Sequence, residues 1–475
     1  MSTWHPADAG EMESSSVAAS DKARVQASRG GSHWPAVALL LFVYTNSFID
    51  RQIISLLVMP IRADLGISDS QFSLLNGLAF ALFYATLGIP IARWVDRGDR
   101  GVILAIGTAT WSVFTMLCGR ATSFGALFLA RMGVGAGEGT LVPCIYSLLA
   151  DYFPVQRRGL AMGIFGSGVY FGMGIALIVG GSALQMLERL GAVTLGPLGH
   201  FSSWQLVFCF VGATGLLLAP FVLMLHEPRR ARAKRAPESR ALPRDPSLFA
   251  TWREGFAAFA GHHLASGFLA MALYGMVAWA PEYLRRTFGV DITMAGYEIG
   301  IVLIVFGTCG VIAGGMLSDH LLRRGVTAAR LIVLACAGAL ASPCLAIFAF
   351  AASAKAALAC IACSTFFLAM LTSCGPLGVQ ELYPSRTRGR GAAVFQLIVT
   401  LMGLGGGPAA IAVASDFLLQ PAHRLGPALG LVTPIWAIAA TVAALAGISS
   451  YGAAVSRAAE ETPAAGCNDV NAVRD

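Results

Sequence analysis

The chain has 475 residues, of which 56% are hydrophobic and 12% charged, with a mean hydropathy of +0.68 and a formal net charge of +7. A soluble globular protein carries about 25% charged residues, so this composition excludes a soluble fold and points to a polytopic membrane protein. Apolar blocks of about 20 to 25 residues fill more than half of the chain, which leaves no room for a large extramembrane catalytic domain.

Residues 1–34 are polar and Ser/Ala-rich, with Asp8, Glu11, Glu13 and Asp21. They lack the basic start and short apolar run of a secretory signal and read as a disordered tail. Apolar periods then predict twelve spans, over 35–58, 71–94, 101–120, 124–149, 157–184, 203–225, 251–284, 294–318, 327–350, 355–380, 390–417 and 427–452. The fold class is therefore an all-α membrane protein of twelve transmembrane helices.

With alternate connections assigned to opposite sides, one side holds 24 Lys and Arg and the other 7. Basic residues accumulate on the cytoplasmic side, which places both termini in the cytoplasm. The longest internal connection, 226–250, carries Arg229, Arg230, Arg232, Lys234, Arg235, Arg240 and Arg244 among three prolines, and reads as a cytoplasmic linker. It separates residues 35–225 from residues 251–452, six spans each, with 453–475 as a second cytoplasmic tail. The basic residues lie in short loops and no nucleic-acid-binding motif is present, so nucleic acid is not an expected partner.

The two halves repeat. Asp96 and Arg100 close the second span as Asp319 and Arg323 close the eighth, 223 residues on. Asp151-Tyr152-Phe153-Pro154 with Arg158-Gly159 follows the fourth span as Glu381-Leu382-Tyr383-Pro384 with Arg388-Gly389 follows the tenth, 230 residues on. Such a parallel duplication places a substrate site between the halves near the midplane.

With that duplicated loop, residues 35–452 resemble the major facilitator superfamily. Asn46 with Asp50-Arg51, the run Gly66-Ile67-Ser68-Asp69-Ser70-Gln71-Phe72, Gly88-Ile89-Pro90, Trp111-Ser112, and Arg131 with Gly133-Val134-Gly135-Ala136-Gly137-Glu138 resemble its spinster-like branch. The resemblance implies two pseudo-repeated six-helix halves, alternating access, an amphipathic or anionic lipid-like substrate and a coupled proton, in a chain that acts as a monomer. It also implies a multi-pass protein of the cell membrane, the inner membrane in a Gram-negative bacterium. Gly163, Gly172, Gly180 and Gly181 fit the antiporter glycine pattern of the superfamily, but Ala176-Leu177 stands where that pattern has Gly-Pro. The glycines then read first as close helix packing.

Charges inside spans cost about 2.5 to 3.5 kcal/mol each on insertion scales, so Asp50, Arg51, Arg131 and Glu138 must face a cavity or one another. Asn46 and Asp50 are four apart and share a helix face. Either these groups are structural locks between the first and fourth spans, or Glu138 pairs with Arg51 in one state and exchanges partner or proton in another, with Asp50 or Glu138 as the protonatable carboxylate. The paired arginines favour an anionic group on the substrate. Asp96, Arg97, Arg100, Arg158, Asp319, Arg323 and Arg388 read as a cytoplasmic gate or, more plainly, as topology charges.

His262 and His263 lie inside the seventh span, as proton or substrate contacts or as a satisfied pair. Tyr170, Tyr274 and Trp279 are candidates for a cavity wall or for packing and interfacial anchoring. Nine of the ten cysteines fall in or beside apolar blocks, Cys360-x-x-Cys363 has no second ligand pair, and no phosphate-cradling loop is present. No metal, no cofactor and no enzymatic activity are expected. Two substrate classes remain, an amphipathic anion or a small organic anion taken up with protons; a receptor or scaffold that binds without transport is the reading from another class.

Overall fold

The computed structural model describes residues 33–153, 155–190, 193–194, 200–225, 248–348, 350–384, 387–418 and 425–460. Most of the expected linker and both expected tails lie outside them. Among the described residues, eleven helices are long and apolar enough to cross a membrane. The fourth crossing is a broken helix, Phe124–Glu138 followed by Leu141–Tyr152. The expectation of one continuous span over 124–149 is corrected there: Gly139 and Thr140 interrupt the helix where it meets its neighbours.

The remaining crossings are Trp34–Leu56, Asp69–Arg97, Arg100–Cys118, Val155–Leu190, Ser203–Leu223, Leu248–Phe288, Ile292–Arg323, Ala329–Phe348, Ala354–Leu382, Arg388–Phe417 and Leu425–Glu460. The bundle end at which the first helix begins is called the terminal end here, the opposite end the far end. At the far end the short helix Val58–Leu65 that follows the first crossing stops at Gly66 and the seventh crossing stops at Gly289, with φ of 64° and 66°. A side chain is disfavoured in that left-handed region, so glycine ends each helix and turns the chain back. The hairpin of Val193–Thr194 and His200–Phe201 lies between the fifth and sixth crossings.

The 230-residue repeat extends beyond the loop motif. Ser123 caps the fourth crossing by accepting from the Ala126 amide, and Ser353 caps the tenth through Ala356. The tenth crossing is also interrupted, between Ala369 and Leu371, and its second segment stops at Leu382 as the fourth's stops at Tyr152. Within each half the packing is the same: first against fifth and third against sixth, then seventh against eleventh and ninth against twelfth. Between the halves, the fifth lies on the eighth and the second on the eleventh.

Backbones approach closely where glycines allow it. A Cβ on Gly135 would lie 2.3 Å from the Phe80 carbonyl oxygen, and one on Gly137 would lie 2.5 Å from the Trp111 amide. These contacts seat the fourth crossing against the second and third. In the fifth, Gly172 fits against Thr45 and Phe48, Gly180 against Ile53 and Gly181 against Thr293, all as packing.

Candidate functional site

Two ion pairs tie the first crossing to the fourth. The Arg51 guanidinium donates from Nε to Glu138 Oε2 at 2.6 Å, and Arg131 Nη1 lies 3.3 Å from Asp50 Oδ1. Each crossing contributes one acid and one base, adjacent on the first and two turns apart on the fourth. All four side chains are buried, Arg51 being 9% exposed. The expected positive pair is therefore neutralised by two carboxylates.

The face shared by Asn46 and Asp50 turns away from the half interface. Asn46 donates to Thr214 Oγ1 on the sixth crossing at 3.0 Å, and Thr115 on the third donates to Asp50. Arg51 turns the other way, its guanidinium carbon 4.7, 4.6 and 4.9 Å from the ring centres of Phe48, Phe80 and Tyr84. Such cation–π contact holds an arginine without closing its N–H groups to other acceptors. Among the described residues, two buried polar atoms of the cluster have no partner, Glu138 Oε1 and Arg131 Nη2. An unsatisfied buried charge-bearing atom is costly and marks a place where a proton, water or ligand group fits.

Arg51 and Arg131 border a central cavity of about 410 Å³, open solvent included. The first six crossings also contribute Phe48, Gln52, Asn76, Phe80 and Met173 to its wall, and the last six contribute Tyr274, Ala278, Leu404 and Pro408. Asn76 and Leu404 sit on π-helical turns, Leu74–Leu78 and Leu401–Gly406, which face each other across the halves. A π turn widens the helix locally and is often found at functional sites.

Several candidates fall elsewhere. His262 and His263 are buried among Phe259, Tyr383 and Phe395 within the second half, and His263 contacts the Phe259 carbonyl at 2.8 Å and the Tyr383 hydroxyl at 3.2 Å. Neither borders the cavity. Nor does Tyr170, which is packed on Gly307 with its hydroxyl 3.2 Å from Thr372. Trp279 donates to the Pro408 carbonyl at 3.1 Å and helps close the far end. Of the five aromatic and imidazole candidates, Tyr274 alone borders it.

The expected gate at the terminal end has other partners. Arg100 is fully buried and pairs with Asp151 at 2.7 Å, while Asp319 pairs with Arg330, which also reaches Glu381 at 3.0 Å. Arg330 and Glu381 stand 230 residues after Arg100 and Asp151, so one ion pair occurs in both halves. Arg388 donates to the Tyr383 carbonyl rather than to a carboxylate, at 3.3 Å. Arg330 opens the ninth crossing and reaches both acids, whereas Arg388 is turned toward its own loop. Arg323 is exposed, and the side chains of Asp96, Arg97 and Arg158 lie outside the described residues.

A network at the far end was not anticipated. Asp69 accepts both Nη atoms of Arg286 at 2.6 and 2.9 Å and also pairs with Arg62 at 2.7 Å. Glu282 holds Arg285 at 2.8 Å and Arg286 at 2.5 Å. Asp416 accepts from the Ser70 amide and hydroxyl at 2.9 and 2.7 Å. Among the described residues, Asp69–Arg286 is the ion pair that joins the halves. The only signal in the sequence was the Ser68-Asp69-Ser70-Gln71 helix start, whose capping box aims Asp69 across the interface.

Twelve crossings in two repeated halves around a central, charge-bearing cavity define a polytopic membrane protein of transporter architecture. The family model of the Major Facilitator Superfamily matches residues 40–408, and the chain belongs to that superfamily, spinster-like within it. It is 29% identical over 297 residues to an MFS-type efflux pump of Mycolicibacterium smegmatis, covering 61% of this chain and 63% of that protein. It is 27% identical over 300 residues to a probable L-galactonate transporter of Escherichia coli, covering 61% and 62%. The chain thus matches a little under two thirds of the length of these relatives. Protein spinster of Drosophila melanogaster is 23% identical over 422 residues, covering 86% of this chain and 66% of that one. A crystal structure of a bacterial homologue of the human lysosomal transporter spinster, inward-facing and unoccupied, has a TM-score of 0.67 and 26% identity, covering 92% of this chain and all of that one. These relatives are transporters, not enzymes.

Proposed function

We propose that the chain is a proton-coupled carrier of an organic anion, working by alternating access in a cell membrane with the terminal end cytoplasmic. The observation that carries this reading is Arg51, which borders the cavity while clamped to Glu138. A buried arginine released from its carboxylate attracts an anion, and a buried carboxylate that loses its arginine takes up a proton. Protonation of Glu138 therefore frees Arg51 to bind a substrate carboxylate, and release of that carboxylate returns Arg51 to Glu138 as the proton leaves. Arg131 Nη2 is a second donor for the same anion.

Of the two substrate classes, the small organic anion is favoured. The space walled by Phe48, Arg51, Phe80, Arg131 and Tyr274 is narrow, which suits a small cargo. Relatives named for sugar acids and for sulfoacetate support an anionic cargo, and the amphipathic alternative rests on what the spinster-like sequence resemblance implies.

The test is uptake into proteoliposomes of labelled small carboxylates and of lysophospholipids, with and without an imposed pH gradient. Wild type is expected to accumulate a small carboxylate several-fold with the gradient. Glu138→Gln is expected to lose gradient dependence and Arg51→Ala to lose uptake. Gradient-driven movement of lysophospholipid alone would assign the amphipathic class, and uptake indifferent to the gradient in wild type would remove proton coupling.

A further inference from the structure

The cavity is chemically one-sided. Both guanidinium groups belong to the first half, and the facing wall from the second half is Tyr274, Ala278, Leu404 and Pro408, with no cation and a single hydroxyl. The polar groups on the first side are few. The Gln52 amide nitrogen already donates to Ser55 Oγ at 2.8 Å and contacts the Val277 carbonyl at 3.4 Å. Asn76 is the other amide on the wall.

A polyhydroxylated acid transferred into this space would lose water from several hydroxyls and find partners for at most a few of them, which disfavours binding. A dianion would place its second carboxylate against the uncharged wall, without a counter-charge. An apolar body meets the opposite situation. Phe48 and Phe80 flank Arg51 with their ring faces turned to its guanidinium, and Tyr274 stands on the facing wall. A flat aromatic body joined to one carboxylate can salt-bridge Arg51 while its ring packs against these rings in offset or edge-on contact.

Resting on the anion-carrier reading, we propose that the cargo is a monoanion with a compact aryl body. Arg51 and the free Nη2 of Arg131 bind its carboxylate, and Phe48, Phe80 and Tyr274 select its ring. Polyhydroxylated and dianionic sugar acids, the cargo named for several relatives, are rejected by the same wall.

The test is binding of four probes to the purified full-length protein in detergent at one mildly acidic pH, by isothermal titration: phenylacetate, cyclohexylacetate, a six-carbon aldonate and a six-carbon aldarate. Phenylacetate is expected to bind about three- to tenfold more tightly than cyclohexylacetate, and at least tenfold more tightly than either sugar acid. Phe80→Leu keeps an apolar wall and is expected to erase the difference between the two ring compounds. Aldonate or aldarate binding as tightly as phenylacetate overturns the proposal and leaves the anion carrier standing. Equal affinity for the two ring compounds in wild type overturns the aryl preference, and binding of none of the four overturns the site. A failure of all carboxylates in the proteoliposome experiment, by contrast, counts against the carrier reading itself.

Discussion

Asp50 and Arg131 are both buried to 1% exposure or less, and each is the other's counter-charge. Removing one partner of such a pair leaves an uncompensated charge and costs about 3 to 5 kcal/mol, whereas replacing both with apolar groups is often neutral. Asp50→Asn is accordingly expected to lower the unfolding temperature in detergent markedly, and Asp50→Leu with Arg131→Met to recover most of that loss. Equal destabilisation by the single and the double change would show that the two residues are not coupled. The four charges of the cluster were legible in the sequence because charge inside a 20-residue apolar run demands an explanation. Their pairing was not, because it depends on how two helices are rotated against each other. Asn46 illustrates the limit: its spacing from Asp50 identified a shared face, but that face is satisfied by Thr214 and Thr115 and not by the cavity.

At the scale of elements, the crossings were legible and their interruptions were not. Twelve apolar blocks specify twelve crossings, yet hydropathy averages over the break at Gly139–Thr140 and over the π turns that present Asn76 and Leu404. The 230-residue repeat explains part of what was missed. The tenth helix is broken at the same place as the fourth, but Ile361 and Leu368 stand where the fourth has Arg131 and Glu138. Duplication thus supplied two equivalent broken helices, and only one carries charge, which is why the cavity is polar on one side. The partner of Asp319 was hidden for a related reason: Arg330, on the next helix, reaches it across a contact that sequence spacing does not show.

For the whole molecule, the far end is held by Asp69–Arg286, by Asp416 on the Ser70 amide and by the Ser73 hydroxyl on the Pro408 carbonyl, all between halves. Opening that end requires these bonds to break while the ion pairs inside each half persist. Asp69→Asn removes the counter-charge that Arg286 finds across the halves, leaving it Glu282, and is expected to shift the population toward the far-open state, about tenfold for each 1.4 kcal/mol lost. The check is the labelling rate of a cysteine at Ser73, a buried interface position, by an impermeant maleimide applied from the far side, in a protein otherwise free of accessible cysteine. A rate unchanged by Asp69→Asn would mean that the ion pair does not hold that end shut.

The neutrality of the charge cluster reaches further than stability. Two acids and two bases give the empty cavity a net charge of zero, and a monoanion arriving with one proton leaves it at zero. A moving charge would exchange about 2.3 kcal/mol with each 100 mV of membrane potential, but neither the loaded nor the empty cluster carries one. The cycle should therefore run on the pH gradient alone, with the same rate whether a potassium diffusion potential is imposed across the vesicle or not.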